Sequence, residues 1–324
     1  MSEKDKKIAE SRFRSHVCEN LLSSIRPLIS KVRRLGRGSV GGQGALTEEK
    51  IRAFLREDIG YGDITTAALL DEGFEARARI ILREGGVVAG LEETAAIFEL
   101  LGCTVRLLES DGSRVQPGSV VMEISGPVDA ILAGERTALN LLGRMCGIAT
   151  TTASAVAIAT RVNPDARVAA TRKTAPGLRE LDKKAVELGG GDTHRLRLDD
   201  CVLIKDNHLM LGIRVGEAVA KARRRVSFTK KIEVEVESLE EAAEAAEAGA
   251  DIIMFDNMSP PEIRRCLSAL GERGLRAGRI FEASGGITLE NVGGYAETGV
   301  NIMSMGCLTH SVRSLNVKLE MESA

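Results

Sequence analysis

The sequence predicts an α/β protein in which a mixed α/β domain precedes a parallel β/α barrel. Two observations carry this. From Arg167 onward, six short strand-like runs recur: RVAATRKT, CVLIKDN, KIEVEVES, DIIMFDN, RIFEASGG and NIMSMG. Helix-forming stretches separate them, which is the pattern of parallel βαβ units. No G-x-G-x-x-G follows the first of these strands, so a barrel is favoured over a dinucleotide-binding sheet. Upstream, residues 47 to 130 mix helices with alternating strands.

Each element has a local reason. Thr47 is placed to cap a helix with Glu48 and Glu49 in its first turn and Ile51, Phe54 and Leu55 on one face. Ala76 to Ile80 alternates apolar or small residues with Arg, as a half-exposed strand does. LEETAAIFELLG reads as a helix stopped by Gly102, and Thr104–Leu108 and Ser119–Ile124 read as strands around the turn-rich DGSRVQPG. A long helix then starts near Val128 and gathers Ala138, Leu141, Leu142, Met145, Ala149 and Thr152 on one face. Its other stripe, Arg136, Asn140, Gly143, Arg144 and Gly147, reads either as a solvated surface or as a place where a ligand or second subunit packs closely. After KIEVEVES, a capping box from Ser238 to Glu241, the stripe Leu239, Ala242, Ala243 and Ala246, and Gly249 mark another helix.

Composition narrows the function classes. The chain has 324 residues and a net charge of -2. The first 45 residues carry ten basic and four acidic side chains, so a basic arm (residues 1–46) ending in GRGSVGGQG precedes an acidic remainder. With no Trp and two Tyr, stacking surface for single-stranded nucleic acid is scarce, and nucleic acid is not expected as a partner. The six cysteines form no C-x-x-C pair, which points to a reduced, cytoplasmic protein. The longest uncharged stretch, Met145 to Thr160, is interrupted by Thr, Ser and Gly, so no membrane span is expected. The charged start MSEKDKK does not read as a secretion signal.

The barrel strands end in reactive residues: Arg172 and Lys173, Lys205 and Asp206, Glu235, Asp256 and Asn257, Ser284 with Gly285 and Gly286, and Met305 with Gly306. In a β/α barrel all C-terminal strand ends meet at one mouth, so these residues converge although they are far apart in sequence. Arg172, Lys173, His194, Arg195 and Lys205 form a cationic group suited to carboxylates or phosphates. Glu235 and Asp256 are oxygen donors for Mg2+ or sugar hydroxyls. The SGG and SMG loops at the last two strands expose backbone N–H groups in the manner of a phosphate site. From the residues alone, a Schiff-base aldolase using Lys205 is a second reading, and a binding protein recruited through the basic arm a third.

The motifs EDIGYGDITT, GERTALNLLGRMCGIAT, TRKTAPGLRELDKKAV, GGGDTHRLRLDDCVLIKDNH, EVEVES, MFDNM, FEASGGI and MSMGCLTH resemble the quinolinate phosphoribosyltransferases, in order and from about residue 47 to the C-terminus. The resemblance implies an N-terminal α/β domain (47–130) joined to an incomplete α/β barrel of about six strands (131–310), with residues 311–324 packing on the first domain. It implies transfer of phosphoribosyl from phosphoribosyl pyrophosphate to quinolinate with decarboxylation, with Mg2+ as cofactor. Arg172, His194, Arg195 and Lys205 are expected to hold the two carboxylates, with Arg136 supplied by a second copy in a homodimer with shared sites, or in a hexamer. Lys173 is expected at the pyrophosphate, Glu235 and Asp256 at the ribose hydroxyls and Mg2+, and Ser284, Gly285, Gly306 and His310 at the 5-phosphate. Position 310 is a lysine in some relatives. A paralogous pyrophosphorylase-like protein of the same fold is the nearest alternative.

Overall fold

The computed structural model describes residues 47–70 and 73–322. The basic arm lies outside the described residues. The first domain opens with α1 (Glu48–Ile59), where the Thr47 hydroxyl accepts the Lys50 N–H as the sequence requires, and α2 (Ile64–Leu69), capped by the Asp63 carboxylate. Its sheet has the order β12-β1-β5-β3, all antiparallel, from β1 (Glu75–Leu82), β3 (Thr104–Leu107), β5 (Ser119–Pro127) and the C-terminal β12 (Val317–Met321). The short pair β2 (Gly86–Val87) and β4 (Arg114–Val115) and helix α3 (Leu91–Leu100) complete it.

Helix α4 (Val128–Val162) joins this domain to the barrel. It is long and apolar enough to cross a membrane by length and composition, but 61% of its most apolar window is buried inside the protein, so it is a core helix. Ile131, Leu142, Met145 and Ile148 have no exposed surface, and each contributes roughly 1.5–3 kcal/mol by leaving water. The glycines of the opposite stripe have a different cause from the docking of a ligand or subunit. A Cβ on Gly143 would stand 2.9 Å from the Leu315 carbonyl, and one on Gly147 3.0 Å from Ser314 Cα. The surface that packs there is this chain's own C-terminal segment.

The second domain holds six parallel strands, β6 (Arg167–Ala170), β7 (Val202–Ile204), β8 (Ile232–Val236), β9 (Ile252–Asp256), β10 (Ile280–Ser284) and β11 (Ile302–Met305). They pair in the order β6-β11-β10-β9-β8-β7. A closed barrel would also join β6 to β7; here both are edges, and Asp192 bridges to Ala169 beside the gap. The incomplete barrel is therefore open on one side. The connecting helices are α5 (Arg179–Leu188), α6 (Asp206–Leu209), α7 (Val215–Arg225), α8 (Leu239–Glu247), α9 (Pro260–Glu272), α10 (Val292–Ala296) and α11 (Cys307–His310). At α8 the Ser238 hydroxyl accepts the Glu241 N–H, but the Glu241 carboxylate turns to the Glu237 N–H, so only half of the expected capping box forms.

Two of three consecutive charges on α5 bolt the domains together. Asp182, fully buried, receives two bonds of 2.8 Å from Arg144 of α4. Lys184 lies among Glu92, Glu93 and Asp111 of the first domain at 2.9–3.3 Å. Its ammonium fills what is otherwise a cluster of carboxylates fit for a cation. Lys183 points the other way, toward the strand ends.

Candidate active site

Strand register decides which side chains face the barrel interior. Lys205, one residue beyond β7, and Glu235 on β8 fall on one face, because Leu203 pairs with Glu233. Glu235 is opposite Met254, Met254 is opposite Glu282, and Asp256 is opposite Ser284, which is opposite Ser304. The inner face thus carries Glu233, Glu235, Asp256, Glu282, Ser284 and Ser304. An apolar core would use aliphatic side chains there.

Two loops at the strand ends carry four of the residues expected as cations. The loop after β6 carries Arg172 and Lys173, and that after α5 carries His194 and Arg195. The Arg172 Nε is buried without a hydrogen-bond partner among the described residues. Burial and the neighbouring charges of Arg195 and Arg179 hold its guanidinium below the usual range. An unpaired buried donor facing like charges is costly, and an anion removes the cost.

His194 is placed differently from expectation. Its Nε2 lies 3.2 Å from Glu282 and 3.5 Å from Glu233, both fully buried, while Nδ1 accepts the Arg195 N–H at 2.7 Å. The ring is turned toward the barrel floor, where it holds Arg195, rather than toward the mouth. Burial opposes the charged ring, while the hydrogen bonds to Glu233 and Glu282 raise its proton affinity. A doubly protonated ring has no lone pair for the Arg195 N–H. The geometry therefore keeps a proton on Nε2, toward Glu282, whose own carboxyl burial pushes up. His194, Glu233 and Glu282 lie close enough to share an ion; the Nε2 proton and the Ser304 hydroxyl, at 2.5 Å from Glu282, already serve His194 and Glu282, while Glu233 Oε1 is buried without a partner among the described residues.

Glu235 and Asp256 come together as expected. Burial, and then the charge of Asp256, push the Glu235 carboxyl up to about 7, against the pull of Lys205. Two carboxylates that repel each other at an open mouth fit a hard divalent cation, which accepts oxygen donors and relieves the repulsion. Asn257 donates to Asp256 at 2.8 Å and fills the space beside Gly285, where a Cβ would stand 2.7 Å from its Cγ. Asn257 (φ 54) and His194 (φ 49) are the residues other than glycine with positive φ among the described ones, and both lie at this mouth.

Opposite, a Cβ on Gly306 would meet His310 at 2.9 Å and Lys173 at 3.3 Å, so the bare glycine leaves room between two basic side chains. Thr309 donates to the Lys173 carbonyl at 2.9 Å and fixes that arrangement. Ser284, with Gly285 at φ 96, stands beside Asp256 across the sheet. Arg136 does not join the mouth. It is 61% exposed on α4 and lines a cleft of about 380 Å³ with Asn140, Arg144 and residues 314–317, none of them mouth residues. Sequence reasoning missed Lys183, Glu233 and Glu282 as supports of the site; an acidic residue inside the apolar runs KIEVEV and RIFEAS was the available signal.

Residues 63–146 match the family Quinolinate phosphoribosyl transferase, N-terminal domain, and residues 148–320 match its C-terminal domain. The chain belongs to the quinolinate phosphoribosyltransferase family. It is 49% identical over 271 residues to a probable nicotinate-nucleotide pyrophosphorylase (carboxylating) of Methanothermobacter thermautotrophicus, covering 84% of this chain and 97% of that one. The nicotinate-nucleotide pyrophosphorylase (carboxylating) of Homo sapiens is 38% identical, over 84% of this chain and 90% of that one. The crystal structure of NadC from Streptococcus pyogenes superposes with a TM-score of 0.80 at 36% identity, covering 88% of this chain and all of that one. Membership of this family makes the protein a pentosyltransferase and sets aside the Schiff-base reading of Lys205.

Proposed function

We propose that the open end of the barrel transfers phosphoribosyl from phosphoribosyl pyrophosphate to the nitrogen of quinolinate and releases pyrophosphate and CO2, giving nicotinate mononucleotide for NAD biosynthesis. The observation that carries this reading is the Arg172 Nε, without a partner among the described residues, beside Arg195, a pair of cations left open where a dicarboxylate is needed. Arg172, Arg195 and Lys205 hold the two carboxylates, and His194 contributes by seating Arg195. Ser284, Gly285, Gly306 and His310 take the 5-phosphate. Glu235 and Asp256 hold the ribose hydroxyls and Mg2+, which when bound neutralises the departing pyrophosphate.

The charges follow the reaction. As pyrophosphate leaves, the sugar carbon becomes cationic, and the Glu235–Asp256 pair faces that charge while Lys173 faces the leaving group. The ring nitrogen captures the carbon and becomes cationic in turn. The adjacent carboxylate then departs as CO2, because the carbanion left behind sits next to that positive nitrogen, and it takes up one proton.

Arg136 acts in the neighbouring site of a homodimer. Its exposure, in a cleft lined by none of its own chain's other proposed substrate-binding residues, supports this. The five described cysteines are unpaired, which suits the cytoplasm. The test is incubation with quinolinate, phosphoribosyl pyrophosphate and Mg2+: nicotinate mononucleotide and CO2 should form in equal amounts, and nicotinate should not replace quinolinate. Comparable turnover of nicotinate contradicts the dicarboxylate assignment. For the shared site, mixed dimers of Arg136→Ala and Arg172→Ala chains should regain one site in two, and no recovery after confirmed subunit exchange would place Arg136 in its own chain.

A further inference from the structure

Lys183 is 1% exposed, a burial that a lysine reaches only with partners. Its ammonium donates to two main-chain carbonyls, that of Ala170 at 3.2 Å and that of Thr193. Ala170 ends β6 two residues before Arg172, and Thr193 stands two residues before Arg195. One buried cation thus ties together the two loops that deliver the arginines. We propose that Lys183 is a positioning residue of the dicarboxylate site, holding these carbonyls so that Arg172 and Arg195 converge on one anion, and that its protonation is linked to capture of that anion. The inference rests on the reading of the arginine group as the quinolinate site.

The linkage follows from the groups that face Lys183. Arg179 on its own helix and Arg172 and Arg195 on the two loops oppose its charge, and Asp192 alone among the acting groups favours it. Burial and these arginines bring the free ammonium down to about 8. A dianion seated on Arg172 and Arg195 cancels the repulsion and raises the proton affinity of Lys183. Binding therefore takes up a proton near pH 8, and affinity declines as pH rises beyond it, by at most about tenfold per unit.

Calorimetry of quinolinate binding to the full chain, at pH 8 in buffers of different ionisation enthalpy, tests this. The expected result is proton uptake that fades toward pH 6. Lys183→Met should abolish the uptake and raise KM for quinolinate about tenfold or more while kcat and KM for phosphoribosyl pyrophosphate change little. Lys183→Arg, charged at every pH, should keep most of the affinity and lose the uptake. Quinolinate binding without proton uptake in the unaltered protein overturns the inference while leaving the substrate site intact; unchanged uptake or unchanged KM in Lys183→Met overturns it as well. Failure of quinolinate to bind at all would instead contradict the substrate reading.

Discussion

The mouth of the barrel and the seam between the domains are built from the same residue types and treat them in opposite ways. At the seam, Arg144 meets Asp182 through two bonds of 2.8 Å, and Lys184 is ringed by Glu92, Glu93 and Asp111. At the mouth, Arg172 has a buried unpaired Nε, Glu235 and Asp256 repel each other, and His194 and Asn257 sit in the left-handed region. Charges that find partners within the chain hold the fold, whereas charges deprived of partners await a ligand. The difference lies in the second half of each pair and is invisible in the residue types themselves.

The largest effect expected from breaking this contrast is at the seam. Arg144→Ala leaves Asp182 charged and fully buried without its partner, and denaturant unfolding should show a loss of about 3–5 kcal/mol. The mouth should respond in the opposite sense. Arg172→Ala should reduce kcat/KM for quinolinate by roughly 100-fold, as loss of a charge-assisted contact does, while the melting temperature stays level or rises because a repelling cation is gone. A destabilised Arg172→Ala protein would place this arginine with the seam.

Glu235 sharpens the comparison through pH. Its carboxyl is raised to about 7, so the ionised form needed for Mg2+ and ribose accumulates as pH rises through 7, and activity should fall below it. Because the folded value lies above the unfolded one, the contribution to stability is complete below the unfolded pKa and declines as pH rises toward 7. Glu235→Gln should therefore flatten the activity profile at a low level and melt slightly higher than the unaltered protein at pH 8, but not at pH 4. The smallest effect belongs to Gly306→Ala. Its methyl group would press on His310 and Lys173, raising KM for phosphoribosyl pyrophosphate several-fold with less than about 1 kcal/mol of destabilisation, since flexible side chains can shift.

Much of this was legible in the chain. The strand ends carrying Arg172, Lys205, Glu235, Asp256 and Ser284 follow from apolar runs that stop at polar residues, since a parallel strand buried on both faces must end where polarity begins. What could not be read was pairing across the sheet. His194 looks like a ligand-binding residue on a Gly-rich loop, but Glu233 and Glu282 face it only because β8, β9 and β10 align in one register. Lys183 is hidden within RELDKKAV, where three neighbouring charges project in different directions around a helix. Gly143 and Gly147 correctly signalled a close approach, but the approaching partner lies more than 160 residues away along the same chain.

Direct measurement of quinolinate affinity against nicotinate affinity tests the claim that the unpaired cations of the mouth select a dicarboxylate. Calorimetry on the unaltered protein and on Arg172→Ala should show quinolinate bound at least about 100-fold more tightly than nicotinate by the former, with most of that preference lost in the latter. Equal affinity for the two acids in the unaltered protein, or a preference that survives Arg172→Ala intact, would contradict it.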